Sequence, residues 1–322
     1  MTIGVHLSEL GGLPAFDFPG PKDTRELPEA GSVAWRISVD TYDAEEEWPQ
    51  AFARFTDSVD TRQVRSLIVG GWSDAYEASS AGIVEALVEA APRFPALRAL
   101  FVGDITFEEC EISWIQQSDV GPLLPAYPAL EEFGVRGGEG LLFPPVEHAA
   151  LRVLRLEAGG LPKDVVAGVA GSTFPALTEL DLWLGTPDYG GDAEVGDLEP
   201  FLSGERLPAL RRLALRNSEI QDAVAAALAT APVVDRLEVL DLSMGVLTDE
   251  GVEALLAGRS LTHLTKLDLH HHYVGEPLRE RLHAALAPHG VEVDLGDPQT
   301  ADVDDDGDGD DVTVYRYVAV AE

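Results

Sequence analysis

Cysteine is almost missing from this sequence, which has one, Cys110, among 322 residues. One cysteine cannot build a disulfide framework, and it excludes a zinc site that rests on cysteine ligands. Long apolar runs are missing too. The longest, residues 223–234, is too short to span a bilayer and contains Pro232. Since the first twenty residues also lack the basic and apolar stretches of a secretory signal, we expect a cytoplasmic protein.

Basic residues are scarce: 22 Lys and Arg stand against 57 Asp and Glu, a formal net charge of −35. Binding to phosphate backbones requires a surplus of Lys and Arg, so the composition argues against a nucleic-acid partner. The same charge disfavours an anionic membrane surface. Hydrophobic residues still make up 45% of the chain, which is enough for a core and excludes general disorder.

A short hexad pattern recurs along the chain, as in "LRALFV" at 97, "LEVLDL" at 237 and "LTKLDL" at 264. Eight such hexads follow one another at intervals of 21 to 33 residues, and they begin at 64, 97, 130, 151, 177, 210, 237 and 264. We count positions from the first residue of each hexad and continue the count past its end. On an extended chain the fourth and sixth positions share one face, and the fifth and seventh share the other. Apolar residues at helical spacing lie between hexads, as in 219–231, 248–258 and 276–287. The pattern predicts stacked β/α units that bury their apolar faces against one another.

These hexads resemble those of bacterial leucine-rich-repeat proteins, with unit lengths and helices similar to the ribonuclease-inhibitor type. The resemblance implies an α/β leucine-rich-repeat solenoid of about eight units over 64–295, with a parallel sheet on its concave face and helices on its convex face. The "GLPAFDF" start and "YRYVAVAE" end also resemble a bacterial family of such proteins found near radical-enzyme and hydrolase genes, which implies an accessory role. The ninth position lacks the Asn, Cys or Thr usual in the family, so we expect irregular turns.

Both ends of a stacked array need a cap. Residues 1–63 are interpreted as an extended segment followed by a capping strand at 33–39 and a helix at 43–59. Residues 296–311 are interpreted as an acidic flexible linker, because seven aspartates fall within 302–311. Residues 312–322 alternate like a strand, which we expect to pair with the last sheet edge or fold back along it.

The acidic run also begins like a calcium loop, since Asp302, Asp304 and Asp306 precede Gly307 in the order D-x-D-x-D-G. Asp310 at the ninth position would add a ligand. The twelfth position holds Thr313 instead of the bidentate glutamate, however, and the flanks do not read as helices. A charged tether is therefore the preferred interpretation, and an ordered calcium site is the alternative.

Three consecutive histidines follow the last hexad, at His270, His271 and His272. Adjacent residues of an extended chain point in opposite directions, so at most two of them could share a metal ion. Asp268 projects to the same side as His270 and could complete a weak site. Asp268, His270 and His272 are thus candidate ligands, but no established metal motif supports them and we expect no metal and no cofactor.

Motifs for nucleophilic catalysis and phosphate binding are absent from the sequence, so we expect a protein that is not an enzyme. Repeat proteins of this kind bind partners on the exposed face of the sheet. The predicted partner-binding residues on that concave face are Arg136, Arg155, Asp181, Trp183, Arg216, Asp241, Asp268 and His270.

The leading hypothesis is a scaffold that binds a protein or peptide, with a small-molecule ligand disfavoured. Three alternatives remain open. The charged face could be an ordinary solvated surface whose side chains pair across strands. The Asp268 and His270–His272 region could serve a metal-dependent enzyme or sensor. The chain could also be a structural accessory subunit of a complex.

Overall fold

The computed structural model describes residues 3–305 and 312–322. The strands are β1 Glu9–Leu10, β2 Leu13–Asp17, β3 Ala34–Ile37, β4 Ser66–Val69, β5 Ala99–Val102, β6 Glu132–Arg136, β7 Val153–Glu157, β8 Glu179–Gly185, β9 Arg212–Ser218, β10 Val239–Asp241, β11 Lys266–Asp268, β12 Glu292–Asp294, β13 Asp302–Asp305 and β14 Val312–Tyr315. The α-helices are α1 Trp48–Ser58, α2 Ala81–Ala90, α3 Leu123–Ala126, α4 Lys163–Gly171, α5 Glu199–Ser203, α6 Gln221–Leu228, α7 Asp249–Ala257 and α8 Glu276–Leu286.

Strands β1 to β12 form one open sheet in which neighbours in sequence are neighbours in space. All pairs from β2 to β12 are parallel, and only β1 runs antiparallel, against β2. Each crossover returns the chain past one side of the sheet. The expectation of a mixed α/β, repeat-like architecture with a long parallel sheet is confirmed. Among the described residues, no helix is both long and apolar enough to cross a membrane.

The hexads account for the main core. Their fourth positions are aligned by the strand register and are fully buried; these residues are Leu67, Leu100, Phe133, Leu154, Leu180, Leu213, Leu240 and Leu267. The apolar sides of the helices pack onto this row in the same cluster. Burying one such side chain stabilises the fold by about 1.5–3 kcal/mol, so each unit depends on its neighbours.

The first strand–helix unit carries an aromatic cluster. β3 and α1 lie where the sequence predicts a strand and a helix, and Pro49 occupies the first turn of α1. Trp35, Phe52 and Phe55 are buried, and the Phe52 and Phe55 rings stack at 6.4 Å. Trp48 donates its indole N–H to the Ile37 carbonyl at 2.9 Å, which ties the helix to the strand beneath it.

The end of the chain departs from the prediction. Residues 302–305, expected to lie in a linker, form β13, which pairs antiparallel with β14. The predicted strand over 312–322 stops at Tyr315, and it pairs with β13 rather than with the edge of the main sheet. The alternation of β-branched residues explains the pairing, since Val303 lies opposite Val314.

The sheet has a second face, opposite the helices, which we call the front face. It carries the fifth and seventh positions of the hexads. Over β3 to β5 it is mostly apolar, with Ala34, Ile68 and Phe101 buried in a cluster with Leu10, and it also carries Arg36. From the end of β6, at Arg136, it carries many charged side chains.

Candidate functional site

The eight residues predicted to bind a partner lie on the front face, but most are buried. The exposed fraction is 2% for Asp181 and Asp241, 3% for Arg136, 7% for Trp183 and 8% for Asp268. The other three, which are partly exposed, are Arg155, Arg216 and His270. At the five buried positions the charges are paired within the protein and chain segments cover part of the face, so the binding role of these residues stays a prediction.

Arg216 holds the centre of this charged region. Its guanidinium binds Asp181 through two contacts, Nε to Oδ1 at 3.0 Å and Nη2 to Oδ2 at 2.7 Å, and lies 3.8 Å from Asp241. It also stacks 5.0 Å above the Trp183 ring. Burial disfavours the charged form, yet Asp181 and Asp241 outweigh it and raise the Arg216 pKa. Arg212 lies 3.8 Å from Asp241 as well, so two arginines balance the two buried carboxylates.

A second ion network surrounds Asp104, which the sequence analysis did not single out. Its carboxylate is fully buried and accepts hydrogen bonds from Arg36 Nε at 2.8 Å and Arg136 Nη1 at 3.2 Å. Burial would raise the Asp104 pKa, but a hydrogen bond from His6 and the charges of both arginines lower it. Arg136 also binds Glu157 at 2.8 Å, which explains why Arg136 is not free to meet a partner.

The N-terminal residues cover this second network. The Leu7 amide donates to Asp104 at 3.1 Å, and the Leu7 carbonyl accepts from Arg36. Farther back, the Ile3 carbonyl accepts from the Phe107 amide at 2.9 Å. Residues 3–10 therefore form a strap across the front face of the first units.

Residues 317–322, which we call the tail segment, lie over the carboxyl ends of the later strands. Val318, Ala319 and Val320 are 6%, 2% and 3% exposed. The Ala319 amide donates to the Met244 carbonyl at 2.7 Å. Asn217 makes two bonds to Val320: its Oδ1 accepts from the amide at 2.9 Å, and its Nδ2 donates to the carbonyl at 2.6 Å.

The tail segment occupies an apolar groove. We call it the front-face groove, and it is lined by Ile112, Trp183, Asn217, Met244 and His271. Ile112, Trp183 and Met244 form a cluster with the buried tail residues. His271 Nε2 lies 3.0 Å from the Tyr317 carbonyl oxygen, with which it can form a hydrogen bond.

A glycine permits the tail segment to pass close to the sheet. A Cβ atom added to Gly159 would lie 2.0 Å from the Ala321 carbonyl oxygen and 2.1 Å from Ser113 Oγ. Ser113 itself donates a hydrogen bond to that carbonyl. Any side chain at Gly159 would therefore push this part of the tail away from the groove.

Three groove residues adopt left-handed backbone conformations. Asn217, Met244 and His271 have φ of 54°, 68° and 55°, and each stands at the eighth position of its hexad. Asparagine and histidine tolerate this region better than most residues do, but methionine rarely adopts it. All three also bond to the tail segment. The left-handed residues are thus the ones that contact the tail segment. Residues in sparsely populated backbone conformations commonly cluster at functional sites.

The candidate metal ligands are only partly brought together. Asp268, His270 and Asp294 place ligand atoms within 4.8 Å of one another, and Asp294 was not foreseen. Lys266 Nζ stands among them, 2.9 Å from Asp268 and 3.7 Å from Asp294. Burial would raise the Asp268 pKa, but hydrogen bonds from His270 and Lys266 lower it, while Asp268 raises the His270 pKa. The ammonium group supplies the positive charge that a metal ion would supply.

His272, the remaining histidine candidate, lies apart from this cluster. It is fully buried; its Nδ1 accepts from the Val274 amide at 3.0 Å and its Nε2 faces the Leu295 carbonyl at 3.3 Å. Burial lowers its pKa. Of the proposed calcium ligands, Asp302 and Asp304 lie exposed on β13. The other two, Asp306 and Asp310, lie outside the described residues.

Comparison with known proteins adds one solved relative to this description. No protein-family model matches the chain, and no curated protein matches it. Ten chains of solved structures do match. One of them is the crystal structure of a Bacteroides fragilis protein determined by a structural genomics consortium. It has 30% sequence identity and a TM-score of 0.73, and the match covers 79% of this chain and 71% of that one.

Proposed function

The chain belongs to the same family as the Bacteroides fragilis protein, and from that premise we propose that it is a non-catalytic scaffold that binds an extended protein or peptide segment in the front-face groove. The observation that carries this proposal is the tail segment. It lies in the groove and is held there by Met244 and Asn217.

We propose a leucine-rich-repeat solenoid of the ribonuclease-inhibitor type as the architecture, with the front face as its concave side. Each hexad coincides with one parallel strand, and the helices pack on the other side. Such arrays bind their partners on the extended concave surface that their repeats create. The groove runs along one row of such positions, from Asn217 to His271.

The contacts to the tail suit recognition of a main chain more than of a particular sequence. Met244 uses its carbonyl and Asn217 uses both ends of its amide, and all three of these bonds reach backbone atoms. Asn217 is the only asparagine of the chain. Small apolar side chains such as Ala319 and Val320 then fill the space beside Trp183. The expected ligand is a segment with consecutive small apolar residues, like Val318, Ala319 and Val320 of the tail.

The tail segment is attached in a way that allows an exchange of occupants. The hairpin of β13 and β14 leads into it, and Val303, Val314 and Tyr315 of that hairpin are 63%, 44% and 45% exposed. The hairpin therefore projects into solvent. Aspartates at 302 and 304 repel one another and favour hydration over packing. Release of the tail would thus cost the contacts in the groove and few others.

We propose a cytoplasmic protein with a protein or peptide partner and no cofactor. The metal-sensor alternative rests on Asp268, His270 and Asp294, where Lys266 competes with any cation for both carboxylates. The peptide-binding role rests on a groove that already holds a peptide segment. For this reason we favour it.

The test uses the full chain with a released tail. In Val318→Asp with Val320→Asp, two charges replace buried methyl groups, so we expect the tail to leave the groove. A fluorescein-labelled peptide with the sequence of residues 317–322 should then bind, as measured by fluorescence anisotropy. Adding Asn217→Gly should weaken this binding about tenfold, because it removes two hydrogen bonds while glycine keeps the left-handed backbone.

The matched control places the same charges on the exposed hairpin, as Val303→Asp with Val314→Asp. The tail stays docked in this variant, so the labelled peptide should bind no better than to the wild type. If the tail-released chain keeps its circular dichroism spectrum and still fails to bind the peptide, the front-face groove is only a place where the chain packs on itself.

A further inference from the structure

A second surface, separate from the front-face groove, lies where three consecutive loops meet. The loops follow β3, β4 and β5 and comprise residues 38–47, 70–80 and 103–111 with the turn that ends at 114. They surround an open cavity of about 280 Å³ lined by Tyr42, Tyr76, Phe107, Cys110, Glu111 and Trp114. Four of its six lining residues are aromatic.

Three of these aromatic side chains face solvent to an unusual degree. Tyr42, Trp114 and Phe107 are 64%, 54% and 41% exposed. The rings of Tyr42 and Tyr76 stack at 5.9 Å with an interplanar angle of 27°. Burying these rings would stabilise the fold, so the stability of the fold does not explain why they are exposed. Clusters of exposed aromatic residues commonly mark binding sites.

The loops around the cavity carry negative charge and no positive charge. Residues 38–47, 70–80 and 103–114 contain eleven Asp and Glu and neither Lys nor Arg. Some of these carboxylates are paired with distant residues, as Asp104 is with Arg36. Asp74 and Glu111 take part in none of the ion pairs formed by the described residues. Glu111 lines the cavity, and Asp74 accepts a hydrogen bond from the Tyr76 hydroxyl at 3.3 Å.

Cys110 contributes an apolar wall and no reactive group. Its side chain is 4% exposed, and burial together with Glu111 and Glu109 raises its pKa to about 11. The thiol therefore stays protonated at neutral pH and is a poor nucleophile. Covalent chemistry is thus not expected at this cavity.

Aromatic faces and uncompensated carboxylates together attract one class of ligand. A cation above an aromatic ring is stabilised by the negative potential of the ring face, and a nearby carboxylate adds to the attraction. We propose that this cavity, between Tyr42, Tyr76, Phe107 and Trp114, binds the arginine or lysine side chain of a basic segment in a partner protein.

The shape of the surface favours a protein segment over a free small cation. A site for a single ammonium ion normally encloses it, whereas these rings are about half exposed and the cavity is open. The acidic rim also extends over three loops, which suits several positive charges spaced along a chain. The two sites share a loop, since Ile112 of the groove lies between Glu111 and Trp114, but no residue that lines the cavity lines the groove. The proposal for the cavity therefore stands even if the groove binds nothing in trans.

The test uses the wild-type full chain and three fluorescein-labelled octapeptides of the repeating sequences Gly-Arg, Gly-Lys and Gly-Gln. Binding is measured by anisotropy at 0.15 M salt. We expect both basic peptides to bind, the arginine peptide more tightly because guanidinium stacks on aromatic rings, and the glutamine peptide not to bind. Trp114→Ala and Tyr42→Ala should each weaken binding of the arginine peptide about fivefold or more.

Two controls separate the cavity from the general acidity of the protein. Glu253→Gln with Glu280→Gln removes two charges from α7 and α8, far along the chain, and should change the affinity less than twofold. Choline should compete poorly with the arginine peptide, and strong competition would show a small-cation site instead. Since Trp114 and Tyr42 are largely exposed, their replacement should leave the fold intact. Equal affinity of Trp114→Ala and the wild type, or no binding of either basic peptide, would overturn the proposal.

Discussion

The front face is covered in two different ways along its length. Over β3 to β5 its residues are apolar apart from Ser66 and Arg36, and Ala34, Ile68 and Phe101 are buried in a cluster with Leu10 of the N-terminal strap. Over β8 to β11 its residues are charged, and Asp181 and Asp241 are buried chiefly because they pair with arginine across the strands. The apolar part needs a cover from the chain itself, whereas the charged part supplies much of its own.

This difference separates a permanent cover from an exchangeable one. Removing the N-terminal strap would expose Phe101 and leave Asp104 without its bonds from Leu7. Removing the tail segment would expose Trp183 and Met244, while the Arg216 network beneath would keep its partners. The strap is therefore part of the fold, and the tail is the better candidate for an occupant that leaves.

The largest expected effect comes from breaking the network under the strap. Asp104→Ala leaves Arg36 and Arg136 buried with one acidic partner fewer each, and it also removes the acceptor for Leu7. We expect the free energy of unfolding to fall by about 3–5 kcal/mol, as is typical when one partner of a buried pair is removed. Urea denaturation monitored by circular dichroism measures this loss.

The matched substitution in the charged part is Asp181→Ala. Arg216 would keep Asp241 at 3.8 Å and its stacking on Trp183, so the cost should be smaller, about 2 kcal/mol. A larger loss for Asp181→Ala than for Asp104→Ala would contradict the expectation that the Asp104 network contributes more to stability than the Arg216 network.

The sequence allowed the parallel sheet and its inner row to be predicted, because the hexads repeat the two-residue period of a strand at regular intervals. Leu100 and Leu240 are buried where that period places them. The sides on which Asp181 and Trp183 lie could be predicted for the same reason. Their burial could not, since it depends on Arg216 and on residues distant in sequence.

The groove had no sequence signal of its own. Asn217, Met244 and His271 share a position and a backbone conformation but no side-chain chemistry, so no pattern of residue types connects them. Asp104 stands at the same eighth position in its own hexad and was missed likewise. The apolar run at 318–321 did indicate a need for burial. The alternation of residue types in this part of the sequence predicted a paired strand, whereas in the structure the segment is bound at the ends of the strands.

The next prediction concerns how pH changes the stability of the N-terminal strap. The hydrogen bond to Asp104, followed by the bond to Glu109, raises the pKa of His6 to about 10 from an ordinary value near 6.5. A group with a raised pKa stabilises the fold fully below its unfolded pKa and loses that contribution as pH rises through the folded one. The strap should therefore loosen between pH 6.5 and about 10.

The measurement compares the wild type with His6→Gln at pH 6 and pH 9.5. Because the His6 side chain is about one-third exposed, solvent screening should limit its contribution to the order of 1 kcal/mol. The wild type should lose that much more stability on the alkaline side than the variant does. Identical pH profiles for the two proteins would show that His6 does not hold the strap.

The smallest effect is expected where the charged part of the front face meets water. Arg155 binds Glu132 at 2.9 Å and Glu179 at 3.1 Å, but its side chain remains 30% exposed. Arg155→Met keeps the aliphatic stem and removes an ion pair that is screened by solvent, so it should cost less than about 1 kcal/mol.

The matched variant, Arg216→Met, leaves buried Asp181 without its cation and leaves Asp241 with Arg212 alone, at 3.8 Å, so it should cost about 3 kcal/mol in the same urea denaturation. A larger loss for Arg216→Met than for Arg155→Met would show that buried ion pairs stabilise the charged part of the front face and exposed ones do not. Equal losses would mean that the exposed and the buried pairs form one cooperative network, and that the tail segment contributes little to the burial of Arg216.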